Sequence, residues 1–158
     1  MPWRASSSTN GPRRGAESVR PITMNFLVDT SVLTRMRVEP VQTALRELSV
    51  AGRLGRCAMT DLELGFSARN GHEWDTIVRA LAAFTRVEVA ARDFRRAEQV
   101  QRSLADAGLK GRKVPDLISA AVAERRGWEL VHYDHDFEHI TGATGQPHRW
   151  IVAAGSID

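Results

Sequence analysis

The sequence predicts an α/β protein, a sandwich of helices around a mainly parallel central sheet. Two short apolar runs each end on an aspartate, Phe26-Leu27-Val28-Asp29 and Leu130-Val131-His132-Tyr133-Asp134, and helical patterns fill most of the chain between them. Short aliphatic runs followed by a change of pattern read as buried strands. Strands that alternate with helices imply a parallel sheet. In such open sheets the crevice at the carboxyl ends of the strands is where ligands bind.

Taken in order, the first strand passes into a short helix over residues 30–37, and Val41 to Ala51 forms a second that ends at Gly52. Arg56-Cys57-Ala58 reads as a short strand leading into a helix from Thr60 to Arg69. Glu73 to Phe84 is helical, and Arg86-Val87-Glu88-Val89 is a strand. A long helix with a polar face spans Asp93 to Ala107, with Gly108 as its stop. Lys110-Gly111-Arg112-Lys113 forms a basic loop. Pro115 opens the next helix, where its missing N–H is harmless, and Gly127 closes it. The second aspartate-ended strand follows, then a short helix from Asp136, and Trp150-Ile151-Val152-Ala153 is a last edge strand.

At 158 residues the chain fits one domain with a substantial core. Residues 1–23 are rich in Ser, Gly, Pro and Arg without apolar periodicity, and read as a disordered extension before a domain spanning 24–158. An Arg- and Ser-rich, acid-poor leader also resembles a transit peptide, although it lacks a clear amphipathic helix. The extension holds Arg4, Arg13, Arg14 and Arg20 against Glu17, which leaves 18 basic and 18 acidic residues in the remainder. The domain is therefore formally neutral, and net charge does not argue for nucleic-acid binding. No apolar stretch approaches the roughly 18 residues that span a bilayer. Cys57 stands alone, which excludes an internal disulfide and makes a reducing cytoplasm the simplest compartment.

Four acids stand where they could converge. Asp29, between strand and helix, is either an N-cap or a functional carboxylate. Ser31 is placed to orient that carboxylate or a bound water. Glu63 shares a helix with Asp61. Its neighbours at helical spacing, Met59 and Phe66, put it near an apolar stripe. Asp61 then reads as a first-turn dipole partner and Glu63 as the ligand, without deciding the matter. Asp116 lies in a helix's first turn, where dipole effects alone favour an acid, but the apolar run after it draws it inward. Asp134 and Asp136 form an Asp-x-Asp at a strand end, with Asp136 the better candidate for capping the next helix. That pattern also resembles a haloacid-dehalogenase phosphatase motif, which belongs near the start of a chain. His135 and His139 have zinc spacing, but nothing completes the set. Carboxylates crowded together repel one another and raise their pKa values. With Mg²⁺ or Mn²⁺ between them they become an oxygen-ligand site.

With these acids in view, the chain resembles the PIN-domain ribonucleases, and among them the VapC toxins of toxin–antitoxin pairs. The carriers are Phe26-Leu27-Val28-Asp29-Thr30-Ser31-Val32-Leu33, Glu63-Leu64-Gly65-Phe66-Ser67-Ala68, Asp116-Leu117-Ile118-Ser119-Ala120-Ala121 and Asp134-His135-Asp136-Phe137. Phe66-Ser67-Ala68 departs from the aromatic-Gly-Ala run often found there. The resemblance implies a PIN-like α/β/α sandwich and Mg²⁺-dependent RNA cleavage leaving 5′-phosphate and 3′-hydroxyl ends, with Mn²⁺ as a substitute. It implies catalytic and metal-ligand roles for Asp29, Glu63, Asp116 and Asp134, with Asp136 as a further metal ligand. It also implies a VapB-like antitoxin partner and a homodimer. Lys110, Arg112 and Lys113, just before Asp116, are candidate RNA-phosphate contacts or a solvated loop. The competing reading is a non-catalytic PIN-like module that binds RNA or protein, and a DNA nuclease of the same fold is a third.

Overall fold

The computed structural model describes residues 23–109 and 111–157. The extension expected at residues 1–23 lies, apart from Thr23, outside the described residues, as does Lys110. The elements are β1 Met24–Val28, α1 Thr30–Leu33, α2 Glu39–Ala51, β2 Gly52–Cys57, α3 Ala58–Gly65, α4 Gly71–Ala80, β3 Thr85–Val87, α5 Ala91–Asp106, α6 Val114–Arg126, β4 Glu129–His132, α7 Asp136–Thr144 and β5 His148–Trp150. The five strands form one sheet in the order β3-β2-β1-β4-β5, and every pairing is parallel.

Strand β1 is the middle of this sheet, and its sequence explains why. Phe26, Leu27 and Val28 are all essentially inaccessible, so both faces of the strand are covered. Phe26 and Val28 join a core with Val32, Val41 and Leu45 of α1 and α2, while Leu27 joins Val100, Leu117, Ile118 and Phe137 of α5, α6 and α7. The period-two alternation of a strand thus feeds two cores, one on each side. That is the α/β/α sandwich the pattern predicts. The chain builds outward from β1 to β2 and β3, then returns to place β4 and β5 on β1's other flank. The order reverses between β1 and β4, and their carboxyl ends open at that switch point.

Several element bounds differ from the sequence reading, each for a local reason. The first helix stops at Leu33 rather than 37: the Thr34 hydroxyl and the Arg35 guanidinium both bond to the Ser31 carbonyl, competing with a continued ladder. Helix α2 starts earlier, with Pro40 in its first turn. Gly52 is not merely a helix stop but the first residue of β2, opposite Met24. A Cβ there would sit 1.8 Å from the Met24 carbonyl oxygen, so only glycine permits this join. The last strand is His148–Trp150 rather than Trp150–Ala153. Its register is set by polar pairs, Arg149 with Glu129 at 2.7 Å and His148 with His132 at 2.9 Å, which no apolar pattern reveals.

Asp61 does more than serve a helix dipole. It is buried and bonded to Arg56 Nε at 2.6 Å and Arg86 Nε at 2.9 Å. Arg56 Nη1 also donates to the carbonyls of Phe84, at 2.6 Å, and Leu81, at 3.1 Å. This network ties α3 to β2, β3 and the segment after α4, and so fixes the helix that carries Glu63. Asp61→Ala would leave the buried Arg56 charge without its carboxylate and is expected to destabilise the protein by about 3–5 kcal/mol. Urea unfolding should show this loss as a lower midpoint.

Candidate metal centre

Asp29, Glu63, Asp116 and Asp134 line one cavity of about 260 Å³ at the switch point, together with Thr30, Ser31, Thr34, Arg35, Lys113 and Tyr133. Each acid arrives from a different element. Asp29 follows β1 and is 4% exposed. It is both cap and cavity group: its Oδ2 accepts the Ser31 N–H at 2.8 Å while the residue faces the other acids. Burial pushes its pKa up, and hydrogen bonds from Ser31 and Thr30 oppose this. The Ser31 hydroxyl also accepts the Tyr133 N–H at 2.9 Å, tying the end of β4 to the start of α1.

Glu63, half-buried on α3, accepts a hydrogen bond from the Thr30 hydroxyl at 2.6 Å. Partial burial raises its pKa, with the charge of Asp29 adding to the effect. Of its two apolar neighbours, Met59 packs against the core but Phe66 is 92% exposed, so no continuous apolar stripe runs beside Glu63. Asp116, in the first turn of α6, is buried, and its Oδ2 has no hydrogen-bond partner. Burial, followed by the charge of Asp29, pushes its pKa up to about 7.

Asp134 goes the other way. Burial alone would raise its pKa, but the Asp136 N–H at 2.9 Å and Lys113 Nζ at 2.7 Å outweigh burial and hold it below the usual range. Asp134, not Asp136, therefore caps the start of α7. Asp136 forms an ion pair with Arg112. It lies outside the cavity lining, yet one oxygen from each of Asp116, Asp134 and Asp136 falls within 4.8 Å of the others. Two of the three cations considered as phosphate contacts, Arg112 and Lys113, are thus paired with acids, while Lys110 lies outside the described residues. His135 bonds to Glu138, and among the described residues no histidine joins the acidic group.

The donor set is all carboxylate oxygen, one buried oxygen is unpartnered, and the acids share a cavity. These features fit a hard divalent cation such as Mg²⁺ or Mn²⁺. Sequence reasoning missed Thr30 and Arg35. Thr30 adjoins Asp29, but only the fold shows that its hydroxyl reaches Glu63, 33 residues away.

A PIN domain family model matches residues 26–143. Ribonuclease VapC51 of Mycobacterium tuberculosis is 47% identical over 135 residues, covering 85% of this chain and 98% of that protein. Ribonuclease VapC21 of the same organism is 39% identical over 137 residues, covering 85% and 99%. The crystal structure of DNA-bound VapBC from Salmonella typhimurium aligns with a TM-score of 0.69 at 17% identity, covering 82% of this chain and all of that one, a likeness of fold.

Asp116 gives the metal-free protein a characteristic pH response. Burial raises the carboxyl's pKa to about 7 in the folded state, whereas the unfolded chain releases the proton near the ordinary value of 3.8. Between these values the folded state binds more protons, so this contribution to stability declines as pH rises and levels off above pH 7. Asp116→Asn removes it. In EDTA, the variant's stability advantage over the parent protein should grow across that window, by up to about 1.4 kcal/mol per pH unit. Denaturant midpoints measured for both proteins at each pH would check it; a constant difference would contradict the assignment.

Proposed function

Because the chain belongs to the PIN-domain family and, within it, to the VapC ribonucleases, we propose that it is a divalent-metal-dependent endoribonuclease and the toxin of a toxin–antitoxin pair. The observation that carries this reading is the convergence of Asp29, Glu63, Asp116 and Asp134 on one cavity at the sheet's switch point. These four, with Asp136 beside Asp116 and Asp134, are the proposed holders of Mg²⁺, with Mn²⁺ as substitute. When bound, such an ion supplies positive charge to phosphodiester oxygens and acidifies water.

The chain's own residues prepare the site in distinct ways. Thr30 holds the Glu63 carboxylate in one orientation, and Ser31 does the same for Asp29. The Asp136 N–H and Lys113 favour the ionised form of Asp134, while burial raises the pKa of Asp116 to about 7. Arg112 and Lys113 stay as candidate RNA contacts, whose charge an incoming phosphate would share with Asp136 and Asp134. The fold relatives crystallised as VapBC complexes support an antitoxin of the VapB kind as the partner.

Asp29→Asn and Asp116→Asn should each reduce RNA cleavage at least about 10³-fold while circular dichroism stays unchanged. Mg²⁺ or Mn²⁺ should raise the parent protein's melting temperature and support cleavage, and EDTA should remove both effects. RNA that is bound but never cut under any divalent ion would instead favour a non-catalytic binding module.

A further inference from the structure

Among the described residues, two cations line the acidic cavity, Lys113 and Arg35. Lys113 is committed to Asp134 at 2.7 Å. Arg35 has no carboxylate within ion-pair distance among the described residues. Its guanidinium is nevertheless held in place from two sides. Nη1 donates to the Ser31 carbonyl at 2.8 Å, and the guanidinium carbon lies 5.0 Å from the centroid of the Tyr133 ring. The Tyr133 hydroxyl donates to the Ile157 carbonyl at 2.6 Å and accepts the Ile157 N–H at 3.0 Å, which fixes the platform. The Arg35 Nε–H is buried with no hydrogen-bond partner.

We propose that Arg35 is a substrate-contacting residue of this site, donating to a phosphate oxygen of the RNA backbone beside the carboxylate cluster. The assignment rests on the ribonuclease reading and adds to it. A phosphodiester approaching four carboxylates meets repulsion, and an unpaired guanidinium at the cavity wall offsets it. A guanidinium presents a planar fork of donors that matches phosphate geometry, and stacking on an aromatic ring preorganises it. Arg35 has donors beyond the one taken by Ser31, so it can contact RNA without leaving its platform.

The test uses the full chain in two forms. Binding is measured by anisotropy with a labelled single-stranded RNA of mixed sequence, in an Asp116→Asn background so that nothing is cut. Arg35→Ala should weaken binding and lower the log–log salt slope by about 0.7. In the otherwise unaltered protein with Mg²⁺ or Mn²⁺, it should lower kcat/KM by about 10²-fold or more, with most of the loss in kcat. Arg35→Lys should restore the salt slope but not the rate. A purely architectural role for Arg35 predicts a lower melting temperature with slope and kcat unchanged, which would overturn the proposal. Should Arg35→Ala fail to fold, Arg35→Gln, which keeps part of the stem and an uncharged amide donor, carries the same expectations. An Arg35-dependent slope in a protein that cuts no RNA would sink the ribonuclease reading and leave the phosphate contact standing. No RNA binding at all would overturn both.

Discussion

Mutual repulsion among carboxylates at the switch point of the sheet is the constraint on which the rest of this structure depends. Asp29, Glu63, Asp116 and Asp134 come from four different elements and meet in one cavity. In the absence of a cation each is accommodated by a different device. Asp29 accepts the N–H groups that open α1, Glu63 accepts a hydroxyl, and Asp134 has both a lysine and the amide that begins α7. Asp116 has an oxygen with no partner, and it is the acid whose pKa rises to about 7. Of the three acids whose pKa burial raises, Asp116 is the one that local hydrogen bonding serves least. This is what low-dielectric burial predicts for the weakest-supported member of a like-charged set.

Holding such a cluster requires a frame that does not yield. The Arg56–Asp61–Arg86 network supplies part of it, because it pins α3 to β2 and β3 two residues before Glu63. Gly52 supplies another part by letting α2 run into β2 without a loop, at a contact no side chain would survive. Gly55 serves the opposite face, where a Cβ would meet the Trp128 ring at 2.3 Å. Both glycines set how closely β2 approaches its neighbours. The apolar run of β1 then fixes the level at which Asp29 emerges beside Asp134.

How much of this was legible in the sequence depends on whether the cause is local. Asp29 and Asp134 were legible because each ends a short apolar run, rich in aliphatic or β-branched residues, that reads as a buried strand. Asp116 was legible because Pro115 marks a helix start and Leu117 to Ala123 are apolar enough to be buried. Glu63 was ambiguous because Asp61 is an equally good acid two residues away. What separates them are Arg56 and Arg86 on two strands, and Thr30 on another helix, all long-range partners. Phe66, which at helical spacing suggests an apolar stripe beside Glu63, is exposed, so no such stripe marks the residue. The final strand was misplaced for a related reason: polar pairs across the β4–β5 edge define its register.

The site is therefore asymmetric before any ion or RNA arrives. On the Asp134 side, Lys113 and Arg112 stand close to the acids and neutralise them. On the Asp116 side the carboxyl is in no ion pair among the described residues, and burial raises its pKa to about 7. A divalent cation binding there would compete with a proton, so its affinity is expected to weaken as pH falls. The lysine and arginine are tethered and remain nearby when displaced from their acids, whereas the proton leaves for solvent. The cavity lining also includes Arg35, which among the described residues is in no ion pair. The sheet's reversal between β1 and β4 brings the Asp116 and Asp134 sides together around one crevice.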